Sequence, residues 1–235
     1  MKLENAVVLV TGANRGIGLA FVRELRARGV RKIHAGVRDP GSIALPGVEP
    51  VRLDVTNAAD IAAAARRCTD VTLLINNAGI ATTGGFLADG SVEAARAQLE
   101  TNYFGPLQLS RAFAPVLAAN GGGAILNVLS IASWISSPLL AVYASTKSAA
   151  WSLTNALRHE LREQHTQVLG MHVGFVDTDL TRGIDRPKSQ PDVVVRRALD
   201  ALEAGAEEVL ADEITQQVKR GLSADPGVYL QALPR

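Results

Sequence analysis

Short, largely apolar runs recur along the chain at Ala6–Val10, Ile33–Val37, Val51–Leu53, Val71–Ile75, Ile125–Leu129, Gln167–Val173 and Glu208–Leu210. Runs of this length, bounded by glycine and turn residues, predict strands covered on both faces. Between them, apolar residues return at helical spacing. Ile17, Phe21 and Leu25 lie four apart, and Gly29 marks the end of that helix. Further helices are predicted over Ala58–Arg67, Val92–Leu117, Ala141–Glu163 and Asp192–Ala204, and Asp39-Pro40-Gly41 has turn chemistry. Alternation of strand and helix means parallel strands, right-handed crossovers and helices on both faces. The expected fold class is therefore α/β, a doubly wound parallel sheet of about seven strands. No repeat, linker or low-complexity tract breaks residues 1–235, so a single domain is expected.

Composition narrows the picture. Hydrophobic residues make up 47% of 235 residues, enough for a sizeable core and against disorder. A net charge of +1 argues against nucleic acid or an anionic membrane as the main partner. Cys68 is the sole cysteine, cannot form an internal disulfide, and reads as a small buried hydrophobe. No apolar run reaches the roughly 20 residues of a membrane span. Met1–Asn5 leads into a strand without the pattern of a signal peptide, so a cytoplasmic location is the default expectation.

The first candidate site is the glycine loop Thr11-Gly12-Ala13-Asn14-Arg15-Gly16-Ile17-Gly18, between the first strand and the first helix. Glycine permits a tight turn and close approach of the backbone to a pyrophosphate, and the helix N-terminus offers N–H donors. The spacing of Gly12, Gly16 and Gly18 is wider at the front than the dinucleotide fingerprint G-x-G-x-x-G, and alone such a turn can be purely structural. Arg38 follows the second strand, where an acid usually grips a ribose hydroxyl or an Arg accepts a 2′-phosphate. Arg15 and Arg38 together favour NADP over NAD, since guanidinium makes charge-assisted contacts to phosphate. The rival reading takes Asp39 as a ribose acid and NAD as cofactor, although its place before Pro40-Gly41 suits a turn better. Asp54 can meet an adenine amino group or cap the following helix, and both readings stay open.

The second candidate site is chemical. Tyr143 and Lys147 lie four apart in a predicted helix and share a face. An unperturbed Tyr, with a pKa of about 10, holds its proton too firmly for base work, and a nearby ammonium favours the phenolate. Such a pair suits proton transfer at a carbonyl or alcohol oxygen. Ser130 follows the fifth strand at the carboxyl edge of the sheet, where ligands bind in such folds, and its hydroxyl could hold the same oxygen. Trp134, Ile135, Leu139 and Leu140 lie between serine and tyrosine and could wall an apolar substrate pocket, with ordinary core as the alternative for Trp134. His172 ends the sixth strand, where a structural role is favoured. No His/Cys/carboxylate set has metal-ligand spacing, so no catalytic metal is expected.

These motifs, in this order, resemble the short-chain dehydrogenase/reductase family over nearly everything from Ala6 to Val209. The family loop T-G-x-x-x-G-x-G matches Thr11–Gly18, N-N-A-G matches Asn76–Gly79, the catalytic Asn matches Asn102, and the Ser, Tyr and Lys match Ser130, Tyr143 and Lys147. The resemblance implies a single-domain Rossmann-type fold and NADP(H)-dependent, reversible conversion of a ketone or aldehyde to an alcohol. It implies Tyr143 as general acid/base and Ser130 as the group that positions the substrate oxygen. Lys147 would bind the nicotinamide ribose and lower the Tyr143 pKa, and Asn102 would hold a relay water. Cofactor contacts are expected from Gly12, Asn14, Arg15, Gly16, Ile17, Gly18, Arg38, Asp54, Val55, Asn77, Ala78, Gly79, Tyr143, Lys147, Gly174, Val176 and Thr178. Substrate contacts are expected from Ser130, Trp134 and Tyr143. The chain departs from the family at Val173, where a proline usually precedes Gly174. Residues 179–191 correspond to a substrate lid, here short, polar and expected to be mobile. Pairing through the helix after Tyr143 and the long helix before it implies a homodimer or homotetramer. Two alternatives remain: an NAD-dependent alcohol dehydrogenase of the same fold, and a non-catalytic NADP(H) sensor.

Overall fold

The computed structural model describes residues 1–231. Its strands are β1 (Val7–Thr11), β2 (Lys32–Val37), β3 (Val48–Arg52), β4 (Leu73–Asn76), β5 (Ala124–Val128), β6 (Gln167–His172) and β7 (Glu208–Leu210). Its α-helices are α1 (Gly16–Ala27), α2 (Ala58–Arg67), α3 (Ser91–Leu99), α4 (Gly105–Ala119), α5 (Ala141–Glu160), α6 (Pro191–Glu203) and α7 (Glu213–Gly221). The strands form one sheet in the order β3-β2-β1-β4-β5-β6-β7, with every pairing parallel. The order reverses between β1 and β4, which opens a crevice at the carboxyl edge of the sheet.

Side chains alternate across a strand, so β1 feeds two cores. Val8 and Val10 face α1 and α6, packing with Phe21, Leu25, Leu126 and Leu199. Val7 and Leu9 face the other way, with Ile61, Leu74, Leu109, Phe113 and Leu157. Burying Phe21 and Phe113 completely contributes about 1.5–3 kcal/mol each. Cys68 is fully buried in the second core, and burial pushes its thiol up to about 11. No described helix is long and apolar enough to cross a membrane.

The expected long helix is interrupted. Between α3 and α4 lies a π turn, Glu100–Phe104, in which the Gly105 N–H reaches back to the Glu100 carbonyl. Pro106 has no N–H to continue the regular ladder there. The helix after Tyr143 stops at Glu160, not Glu163. Strand β3 begins at Val48, earlier than its hydrophobic run, because it lies at the sheet edge, where Glu49 and Pro50 are tolerated. Helix α7 was not predicted from the pattern.

Candidate active site

Thr11, at the end of β1, organises the nucleotide end. Its buried hydroxyl donates to the Ile75 carbonyl at 3.3 Å and accepts the N–H groups of Asn77 and Ala78, each at 3.0 Å. The Asn77 amide donates to the carbonyls of Thr11 at 2.9 Å and Gly12 at 3.3 Å. The turn after β4 is thereby clamped onto the glycine loop. Gly12 and Gly16 have φ of 63° and 53°, and a Cβ on Gly18 would stand 2.1 Å from the Gly12 carbonyl oxygen. Glycine is needed at these positions by conformation and by space. Helix α1 begins with no side-chain cap and no acid in its first turn, leaving a positive N-terminal end for an anionic group.

Arg15 and Arg38 are exposed, and neither guanidinium has a hydrogen-bond or ion-pair partner among the described residues. Asp39 is committed to the turn, its Oδ1 accepting the Gly41 N–H at 2.9 Å. Asn14 donates to Ser42 Oγ at 3.1 Å, tying the glycine loop to the segment after β2. Asp54 accepts from the Thr56 N–H at 2.9 Å and the Thr56 hydroxyl at 2.7 Å. Those bonds, the backbone one foremost, hold its carboxyl below the usual range, and Arg38 adds to the effect. The cap of α2 is Asn57, not Asp54. Val55 is buried against Gly105. Thr178 lies against Gly16, its methyl 3.3 Å from where a Gly16 Cβ would stand. Gly174 donates its N–H to Asp212 Oδ2 at 2.7 Å, so a carboxylate steadies this turn in the absence of the family proline.

Ser130, Tyr143 and Lys147 meet at the carboxyl edge of β5. Ser130 is 6% exposed, and its hydroxyl accepts the Ala132 N–H at 3.1 Å. Tyr143 is partly exposed as a residue, but its hydroxyl lies deep beside that of Ser130. Burial pushes the phenol up to about 12, and the Ser130 hydrogen bond acts in the opposite direction. Lys147 is buried, which lowers its ammonium to about 8. It donates to the Val128 carbonyl at 2.8 Å and stands 5.7 Å from the centre of the Tyr143 ring. The Lys147 ammonium is thus engaged by the Val128 carbonyl, and desolvation of the phenolate is the leading influence on Tyr143. Asn102, in the π turn, spends its side chain on scaffolding. Its Nδ2 donates to the Ile80 carbonyl at 2.9 Å and to Thr146 Oγ1 at 3.0 Å, and its Oδ1 accepts the Ile80 N–H at 2.9 Å.

Trp134, expected either in a substrate wall or as ordinary core, is packed among three side chains. Its ring stacks on His172 with centroids 3.9 Å apart, meets Trp151 edge-on and lies 4.7 Å from Lys219 Nζ. These contacts fit the core reading of Trp134, while Leu139 nearby is exposed. The lid segment is stitched at its base. The Asp177 N–H donates to Ser189 O at 2.9 Å, the Ser189 N–H to Phe175 O at 2.8 Å, and Lys188 to Thr181 O at 2.9 Å. An open cleft of about 360 Å³ lies over this segment, and another of about 650 Å³ runs between α1 and α6. Neither is lined by Ser130, Tyr143 or Lys147, so the site is assigned from converging side chains rather than from void size. Sequence reasoning missed the roles of Thr11 and Asp212. Thr11 was signalled by its place at the head of the glycine loop, and Asp212 by its position at a helix start.

A sequence model described as short chain dehydrogenase matches residues 6–189. A solved short chain dehydrogenase from Burkholderia cenocepacia in complex with NADP is 42% identical, covers 96% of both chains and superposes with a TM-score of 0.92. A short chain dehydrogenase/reductase from Burkholderia phymatum, solved with NAD, covers 100% of both chains at a TM-score of 0.88, and at 24% identity it supports the fold alone. The dehydrogenase/reductase SDR family member 7B of Bos taurus is 31% identical over 76% of this chain, which spans only 60% of that relative's length. The chain belongs to the short chain dehydrogenase family of oxidoreductases.

Proposed function

We propose that this protein is an NADP(H)-dependent reductase that converts a ketone or aldehyde to an alcohol reversibly, with Tyr143 as general acid and base. The observation that carries this reading is the convergence of three side chains. Ser130 Oγ and the Tyr143 hydroxyl sit together at the mouth of the crevice, with the Lys147 ammonium buried behind them. Two hydroxyls side by side suit one substrate oxygen. Ser130 would hold that oxygen, and Tyr143, whose burial keeps it protonated, would donate to it as negative charge develops there. Lys147 would favour the phenolate left behind, and its proton would be restored from solvent. A purely structural Tyr/Lys pair does not explain why both polar groups are enclosed at the sheet edge beside the glycine loop and its uncapped helix.

A bound nicotinamide dinucleotide would supply or take up the hydride. The chain's features fit such a group: Gly12, Gly16, Ile17 and Gly18 frame the open α1 N-terminus, and Asn77, Ala78 and Gly79 follow the clamp on Thr11. Thr178 borders the same loop with its methyl against Gly16, and Gly174 and Val176 lie on the segment that leads to it. Preference for the 2′-phosphorylated form is supported by Arg15 and Arg38, whose guanidiniums make no hydrogen bond or ion pair with the described residues, while Asp39 is occupied by its own turn. The likeness to a relative solved with NADP agrees with this choice. The experiment that tests the function is oxidation of NADPH, with NADH in parallel, against a panel of aliphatic and aromatic ketones, aldehydes and diketones. Turnover with NADPH well above NADH is expected. Cofactor binding without turnover on the whole panel would favour the sensor reading.

A further inference from the structure

We propose that His172 is a positioning residue for Ser130, fixing the serine's main chain so that its hydroxyl stays on Tyr143. This rests on the role just given to Ser130. His172 ends β6 and is fully buried, and its Nδ1 lies 3.2 Å from the Ser130 carbonyl oxygen. A carbonyl only accepts, so Nδ1 carries the proton. Nε2 then presents a lone pair and has no hydrogen-bond partner among the described residues, where Glu208 Oε1 lies at 3.6 Å.

Ser130 lies just past the last paired rung of β5 and β6, Val128 with Met171. Its carbonyl accepts one backbone bond, from the Ser133 N–H at 3.0 Å, and the His172 ring supplies the second. With both bonds the peptide is held at φ −154° and ψ 162°, between a strand and a 3-10 turn. The imidazole is itself held. Trp134 stacks on it at 3.9 Å with 20° between the planes, and Lys219 of α7 stands 4.7 Å from the Trp134 ring centre. Lys219 is anchored in turn on Glu208 at 2.9 Å. The charged groups facing His172 are Glu208, Lys219 and Arg158. A chain of contacts thus runs from the C-terminal helix through Trp134 and His172 to the Ser130 backbone.

The test uses the full-length protein with His172→Phe, His172→Asn and Ser130→Ala. Phe keeps a ring on Trp134 and loses the donor. Asn places an amide donor near the Nδ1 position and loses the stack. For His172→Phe, kcat is expected to fall about tenfold or more while NADPH affinity and Tm stay near wild type, since small misplacement of a positioned group is costly in rate. For His172→Asn, most turnover is expected to return despite a lower Tm. The opposite order, or rates that simply follow Tm, would overturn the proposal. Unchanged turnover in Ser130→Ala would instead remove Ser130 from the reaction, and the positioning role with it. A readout independent of substrate is the ¹⁵N spectrum of the His172 ring at neutral pH. The Nδ1-protonated neutral tautomer is expected, and an Nε2-protonated or doubly protonated ring would overturn the proposal.

Discussion

Lys147 sets the pH behaviour of the site. Burial lowers its ammonium to about 8, so the cation is present below that pH and lost above it. Burial raises the Tyr143 phenol to about 12, so its proton is present throughout the working range. In the reaction proposed here, reduction would need both the phenolic proton and the cation. We therefore predict that kcat/KM for carbonyl reduction is level below about pH 8 and falls by up to about tenfold per unit above it. A pH–rate profile checks this, and a level rate well past pH 8 would contradict it. Tyr143 and Lys147 were legible in the chain because four residues is one helical turn, a local relation. The contact of His172 with Ser130 was not, because 42 residues separate them and only the β5–β6 register brings them together. The packing of Trp134 was illegible for the same reason: its place near the serine in sequence says nothing of the α7 lysine beside its ring.

At the scale of elements, strands and helices with a strong period were visible in the sequence, and those with a weak one were not. Helix α2 matches its predicted span because Asn57 caps it and its apolar positions repeat. Helix α7 escaped notice because Ile214 and Val218 are its main apolar positions, too few for a clear stripe. Its ends did carry signals: Asp212 accepts the Thr215 N–H at 2.9 Å, and Lys219 and Arg220 fill the last turn. Asp212 also receives the Gly174 N–H, so one carboxylate joins α7 to the turn expected to face the nicotinamide. Asp212→Ala should cost about 1–3 kcal/mol, the worth of a lost cap and an orphaned buried N–H. Thermal melts should show the loss, and NADPH titration should show weaker binding. Unchanged affinity at a lowered Tm would confine Asp212 to stability.

Across the whole molecule, the parallel order of strands gathers loops from distant parts of the chain at one edge. The glycine loop after β1, Arg38 after β2, Asp54 after β3 and the clamp after β4 would form the nucleotide half of the proposed site. Ser130 after β5 would form the chemical half, with the Gly174 turn after β6 beside it. Charge is nearly balanced overall at +1, so the proposed preference for a phosphorylated cofactor would come from local cations rather than a global field. Arg38→Asp should lower the NADPH to NADH preference by about tenfold to a hundredfold, the worth of one charge-assisted contact. Steady-state kinetics with each cofactor measures that ratio, and an unaltered ratio would remove Arg38 from cofactor choice. The central claim concerns Tyr143, and the most direct measurement compares wild type with Tyr143→Phe on the best carbonyl substrate, with NADPH binding followed in parallel. The account predicts that turnover falls by about a hundredfold or more while NADPH still binds with near-native affinity. Turnover preserved without the phenolic hydroxyl would contradict it.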